Sequence, residues 1–109
     1  MNWIPLDSTE QLERIKATVG YSVIFKHSTR CSISMMAKKR VDMDLDDLPE
    51  NVKPYFLDLL SHRAISGEIA ELFNVHHESP QLLLIKDGEC ILDQSHGDIN
   101  IEETLELIK

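Results

Sequence analysis

Tyr21-Ser22-Val23-Ile24-Phe25-Lys26-His27-Ser28-Thr29-Arg30-Cys31-Ser32-Ile33-Ser34 decides how this chain is read. Its first five residues are short, β-branched and aromatic, the signature of a buried strand. From Ser32 the apolar spacing becomes helical: Ile33, Met36, Ala37, Val41, Leu45 and Leu48 fall near a 3.6-residue period, with Lys38, Lys39 and Arg40 largely off that stripe. Cys31 therefore stands where a strand ends and a helix begins. The unpaired N–H groups and positive dipole end of a helix stabilise a thiolate at such a place. The expectation is a reactive thiol, weighed against the plainer one of a buried, inert cysteine.

Outward from this stretch, the remaining elements alternate. Trp3 to Leu6 suits a short edge strand, since Pro5 is tolerated at an edge. Ser8 caps a helix with Leu12, Ile15 and Val19 on one face and Gly20 as its stop. Pro49 and Pro54 bracket the way to a strand over Tyr55 to Leu60. A helix over Ser66 to Phe73, capped by Ser66, turns Ile69, Ala70 and Phe73 inward. Residues His76 to Pro80 are irregular. Gln81 to Ile85 reads as a strand, Asp87-Gly88 as a two-residue hairpin turn, and Glu89 to Leu92 as the returning strand. Gly97 ends that region, and Ile101, Leu105 and Ile108 mark a last amphipathic helix. The order β-α-β-α-β-α-β-β-α predicts an α/β fold. Its early strands are parallel, its late pair is antiparallel, and helices cover both faces of a mixed sheet.

With 109 residues the chain suffices for one domain, 1–109, and is too short for two. Its formal net charge of -8 argues against nucleic acid or an anionic membrane surface as partner. Two distant cysteines, Cys31 and Cys90, do not make a secreted disulfide framework. Met1 to Asp7 carries no basic stretch followed by an apolar one, and no apolar run approaches the ~20 residues that span a bilayer. A cytoplasmic location is expected, where a lone reactive cysteine is more often redox-active or catalytic than structural.

The element order, the cysteine after the first central strand and the proline before the hairpin resemble thioredoxin. The likeness covers nearly the whole chain. It is close in Ile69-Ala70-Glu71-Leu72-Phe73-Asn74-Val75, in Ser79-Pro80 and in Leu82-Leu83-Leu84-Ile85-Lys86-Asp87-Gly88-Glu89. The resemblance implies a thioredoxin-like three-layer sandwich, a cis peptide bond before Pro80, and a Pro80 packed beside the reactive cysteine. Two departures stand out. The redox motif of thioredoxins is C-x-x-C, whereas this chain has Cys31-Ser32-Ile33-Ser34. Thioredoxins also carry a buried carboxylate where this chain has Phe25. Without a second thiol at position 34, Cys31 can form one mixed disulfide, which a second thiol from outside must resolve.

A narrower resemblance is to the monothiol bacilliredoxins of the YtxJ type, carried by His27-Ser28-Thr29-Arg30-Cys31-Ser32-Ile33-Ser34, Arg63-Ala64-Ile65-Ser66 and His77-Glu78-Ser79-Pro80-Gln81. Family members often have proline after the cysteine, where this chain has Ser32. The resemblance implies a thiol–disulfide oxidoreductase with bacillithiol as co-substrate and no bound cofactor. Its partners would be the low-molecular-weight thiol and S-thiolated client proteins. Cys31 is then catalytic. Thr29 suits a helix cap. Arg30 is a candidate for supporting the thiolate or holding a ligand carboxylate. Lys26 is a weaker candidate for the same role, with solvated surface charge its plainer reading. The Ser34 hydroxyl is placed to bond the thiolate one helical turn away. Ser79, before Pro80, offers its backbone to a bound peptide or thiol.

Two other functions share these residues. One is an iron–sulfur carrier like the monothiol glutaredoxins, whose C-G-F-S motif shares its first and last residues with Cys31 to Ser34. The other is a non-catalytic binding module on the same fold. No metal site is expected from His27, His62, His76, His77 and His96, because no C-x-x-C or H-x-x-x-H spacing accompanies them. His77 is singled out for its place in the Pro80 loop. Asp42-Met43-Asp44-Leu45-Asp46 lacks the glycine and glutamate of a calcium loop, with Asp47 and Lys53 in their places. Cys90 reads as a small, buried strand residue.

Overall fold

The computed structural model describes residues 2–28 and 30–108. Among them lie strands β1 (Ile4–Pro5), β2 (Tyr21–His27), β3 (Lys53–Asp58), β4 (Gln81–Lys86) and β5 (Glu89–Ser95). The helices are α1 (Thr9–Ala17), α2 (Ser32–Asp44), α3 (Arg63–Leu72) and α4 (Glu102–Ile108). The strands form one sheet in the order β1-β3-β2-β4-β5. β1, β3 and β2 run parallel, while β4 is antiparallel to both β2 and β5. The chain is therefore α/β in the expected order, with helices on both faces of a mixed sheet.

Each face has its own core. On one, Leu12 and Ile15 of α1 and Ile65 and Ile69 of α3 meet Ile24, Leu57, Leu83 and Ile85. On the other, Ala37 and Val41 of α2 meet Val23, Phe25, Leu82 and Leu84, with Leu105 and Ile108 of α4 packed against them. β2 lies between β3 and β4 under both layers, so every residue from Ser22 to His27 is buried. Alternation along this strand sends Val23 and Phe25 to the α2 side and Ile24 to the α3 side.

At the far end of β2 from Cys31, a turn fixes the sheet. Asp87 (φ 51) and Gly88 (φ 82) both take the left-handed conformation that a tight hairpin needs. The Asp87 carboxylate accepts from the Gly20 N–H at 2.7 Å, and the Asp87 N–H donates to the Gly20 carbonyl at 2.9 Å. A Cβ at Gly88 would stand 2.2 Å from the Lys16 carbonyl oxygen. Across the hairpin the register shifts between Leu84 and Ile85, so that Cys90 pairs with Ile85.

Several sequence expectations need correction. α1 stops at Ala17, and Val19 is 88% exposed, because the chain turns through Thr18 toward Gly20 before another helical turn forms. β3 begins at Lys53 and takes in Pro54, which precedes the first β1 pairing at Tyr55. Leu59 and Leu60 lie beyond its end. α3 starts at Arg63 with His62 as cap, which leaves Ser66 buried inside the helix. Ile33 and Met36 are 54% and 62% exposed, since α2 meets the sheet through Ser34, Ala37 and Val41. β5 runs on to Ser95. Among the described residues no helix is long and apolar enough to cross a membrane.

Candidate functional site

Cys31 is half-buried and is itself the N-cap of α2, with extended backbone (φ −103, ψ 123) and no side-chain capping bond. Thr29, read from sequence as a cap, lies outside the described residues. The Cys31 N–H donates to the Ser28 carbonyl at 3.2 Å, and its carbonyl accepts the first helical bond, from Met35, at 3.0 Å. The thiol thus stands at the positive end of a 13-residue helix, beside first-turn N–H groups that have no partner within the helix. Arg30 is exposed next to it.

Ser34 is fully buried and committed to the loop before Cys31. Its hydroxyl oxygen accepts the Ser28 N–H at 2.9 Å and lies 2.8 Å from His27 Nδ1. With the oxygen accepting from Ser28, the hydroxyl proton is free to go to His27 Nδ1, which requires a neutral imidazole protonated on Nε2. Burial, followed by the charge of Lys38, holds His27 below the ordinary histidine range. The expected bond from Ser34 to the thiolate gives way to these two partners, which pin the strand end to the first turn of α2. The His27 ring also stacks on Phe25 (centroids 5.8 Å apart) and tilts against Phe56 (5.5 Å). Phe25, where thioredoxins carry an acid, stacks in turn on Trp3 at 5.7 Å.

Pro80 reaches the same end of the sheet from β4. Lys26 pairs with Gln81 across β2 and β4, which puts Pro80 level with His27 one step further on. The Ser79–Pro80 bond is cis. Pro80 is buried, and the Ser79 hydroxyl is buried with no hydrogen-bond partner among the described residues. The loop before it is held by Gln81 Nε2, which donates to the His76 carbonyl at 3.0 Å.

Lys26 contradicts its surface reading. It is completely buried on the α3 side of β2, since the strand stays central up to His27. Its ammonium lies 3.2 Å from His77 Nδ1, and the Ser66 hydroxyl lies 3.2 Å from the same nitrogen. Burial lowers the Lys26 pKa to about 8. Burial, then the Lys26 charge, lowers that of His77. Among the described residues no carboxylate pairs with Lys26 within 4.0 Å. Cys90 faces this same core layer. Burial raises its thiol to about 11, which suits an inert cysteine.

A half-buried cysteine at a helix N-terminus, with a buried serine three residues on where a second thiol would stand, is a monothiol arrangement. The family description "Monothiol bacilliredoxin BrxC" matches this chain over residues 4–104. The chain belongs to the monothiol bacilliredoxin family. A solved structure described as a candidate oxidoreductase with a thioredoxin fold is 32% identical to this bacilliredoxin. That match covers 97% of this chain and 93% of the other, with a TM-score of 0.84. Thioredoxin from Malassezia sympodialis is 18% identical (TM-score 0.75; 98% and 88% covered). Thioredoxin from Trypanosoma brucei brucei is 13% identical (TM-score 0.75; 97% and 86% covered). At these last identities the likeness is one of fold, and it is a thioredoxin-like fold. Family and fold together support a thiol oxidoreductase type of function for this bacilliredoxin.

Sequence reasoning missed the burial of Lys26, its approach to His77, and the bond between His27 and Ser34. A signal for the first was present. Lys26 shares the parity of Ile24 in a strand expected to be covered on both faces, so an inward lysine followed from the same premise. The other two depend on rotamers and on a loop 51 residues away, which no local pattern encodes.

Proposed function

We propose that this chain is a monothiol thiol–disulfide oxidoreductase that removes a low-molecular-weight thiol, bacillithiol by family, from mixed disulfides on client proteins. The Cys31 thiolate attacks the sulfur of the cap. The client–cap S–S bond breaks, and the client sulfur leaves as a thiolate that takes a proton from water. Cys31 now holds the cap in a mixed disulfide. A second molecule of the small thiol attacks the cap sulfur as its thiolate. The disulfide of two small thiols departs, and Cys31 is restored. The cycle uses no bound cofactor, and its partners are the small thiol and the S-thiolated clients.

The observation that carries this reading is Ser34. Its position would hold a resolving cysteine in a dithiol enzyme, and its buried oxygen is taken up by Ser28 and His27. Release by a thiol at position 34 is therefore closed, and in this reading the release step falls to an outside thiol. The N-cap position of Cys31 sets its side chain at the end of α2 where the first-turn N–H groups have no partner within the helix. In this reading the backbone at Ser79 and Pro80 flanks the bound sulfur, and exposed Arg30 meets a carboxylate on client or thiol.

The test is to incubate the protein with a bacillithiol-capped client and weigh both by intact mass spectrometry. The expected result is transfer of one cap mass to Cys31, its loss on adding free bacillithiol, and no transfer by Cys31→Ala. A Cys31→Ala chain that removes the cap as fast as the unaltered one overturns the proposal.

A further inference from the structure

On the α3 side of the sheet lies a second polar constellation that the exchange chemistry does not use. Leu59, Arg63, Ser66, Gly67 and His77 wall a surface recess of about 280 Å³. It opens beside the strand end that leads to Cys31, because the Leu59 N–H donates to the His27 carbonyl at 2.9 Å. A recess of this size accommodates a terminal group of a ligand and falls short of a whole drug-sized molecule.

Its chemistry favours an anion. Arg63 is exposed on one wall and makes no ion pair among the described residues. Ser66 is buried at the wall, with its hydroxyl 3.2 Å from His77 Nδ1. Directly behind, 3.2 Å from the same nitrogen, stands the ammonium of completely buried Lys26. An ammonium has three protons to donate, and the His77 nitrogen takes one. A buried cation without a counter-charge is costly, and an anion in the recess on the far side of the imidazole offsets part of that cost. In a chain of net charge -8, Arg63 and Lys26 place two cations about a neutral His77, with the Glu78 carboxylate as the acidic neighbour that also acts on that imidazole.

We propose that the recess walled by Arg63, Ser66 and His77, with the Lys26 ammonium behind it, binds a carboxylate of the small thiol exchanged at Cys31. The proposal rests on the exchange reading above and adds where on the fold a carboxylate of the exchanged thiol is held. Arg63 supplies a planar pair of donors to the carboxylate, and Lys26 supplies charge across the imidazole. The recess then selects among thiols that are equal at sulfur.

The experiment compares two caps on one neutral model peptide, mercaptosuccinate and 2-mercaptoethanol, at fixed ionic strength. The rate of cap transfer to Cys31 is read by mass spectrometry. The expected result is faster transfer of mercaptosuccinate, with the ratio of the two rates falling about tenfold in Arg63→Gln, the size of one lost charge-assisted contact. An unchanged ratio overturns the proposal. So does a preference that follows an acidic residue placed in the peptide and not the cap. If Cys31 takes neither cap, the exchange reading fails and the recess is judged by binding alone. Succinate is titrated into Cys31→Ser while the His77 imidazole is followed by NMR. A saturable shift, weakened about tenfold by Arg63→Gln, upholds the carboxylate site. No saturable shift overturns it.

Discussion

The two faces of β2 carry opposite solutions to one problem. Both must deliver polar groups to the strand end through a sheet buried on both sides. On the α2 face, Phe25, His27 and Ser34 form a closed set: ring on ring, nitrogen on hydroxyl, hydroxyl on backbone N–H. On the α3 face, Lys26 is buried as a cation whose contact is a nitrogen base, with no acid paired to it among the described residues. The first face is satisfied from within and ties the end of β2 to the first turn of α2. The second is left short of negative charge. A central strand can thus fix a thiol with one parity of its residues and offer electrostatics with the other.

Breaking the first face has the largest expected effect. Phe25→Ala empties a ring-sized space between Trp3, His27 and Phe56 and should cost about 3–5 kcal/mol in urea denaturation. A loss under about 1 kcal/mol would mean that the aromatic set can collapse. Ser34→Ala comes next. It leaves the Ser28 N–H without its acceptor, and about 1–3 kcal/mol should be lost. Exchange through Cys31 should slow as the loop loosens, a combination that parallel unfolding and transfer measurements would reveal.

The second face is sharpened by pH. The folded-state pKa of Lys26 is lowered from 10.5 to about 8. Between those values the unfolded chain binds more protons, so this residue makes stability rise with pH. Lys26→Met removes the buried charge and should match or exceed the unaltered chain near pH 7. The gap should narrow as pH climbs from 8 to 10. Cys90, raised from 9.0 to about 11, works in the opposite direction over its own window, so the comparison belongs in a Cys90→Ala background. A gap that does not move with pH would show Lys26 to be charged throughout.

The smallest effect concerns His27. Its folded pKa lies below the ordinary 6.5, so protons bind the unfolded chain preferentially as pH falls past 6.5, and stability declines. In His27→Phe, which keeps the ring, the decline between pH 6.5 and 5 should be shallower. Equal slopes would assign the decline to other groups.

Much of the fold was legible because local rules and tertiary context agreed. The apolar run from Tyr21, the helical spacing after Cys31 and the Asp87-Gly88 turn each specify an element without help from elsewhere. Where they disagreed, context won. Ile33 and Met36 fit a helical stripe, yet the sheet meets α2 through smaller residues, and the larger ones stay outside. Ser66 looked like a cap because serine favours that position, but α3 extends three residues back to Arg63 and carries Ser66 inward. At the site, the placement of Cys31 was readable and the fate of Ser34 was not. A serine one turn from a thiol has several partners within reach, and here it meets the Ser28 N–H and an imidazole packed between Phe25 and Phe56.

One feature of α2 bears on how long such a molecule lasts. Met35 and Met36 stand 55% and 62% exposed, and both line a groove that also takes in Ser32, the residue after Cys31. Peroxides reach thioethers held this far out and turn them into polar sulfoxides. On the proposed cycle Cys31 is returned intact by each exchange, whereas the two methionines have no such return within the chain. Ageing under oxidant would then be recorded on the helix face beside the thiol, as a gradual wetting of an apolar groove.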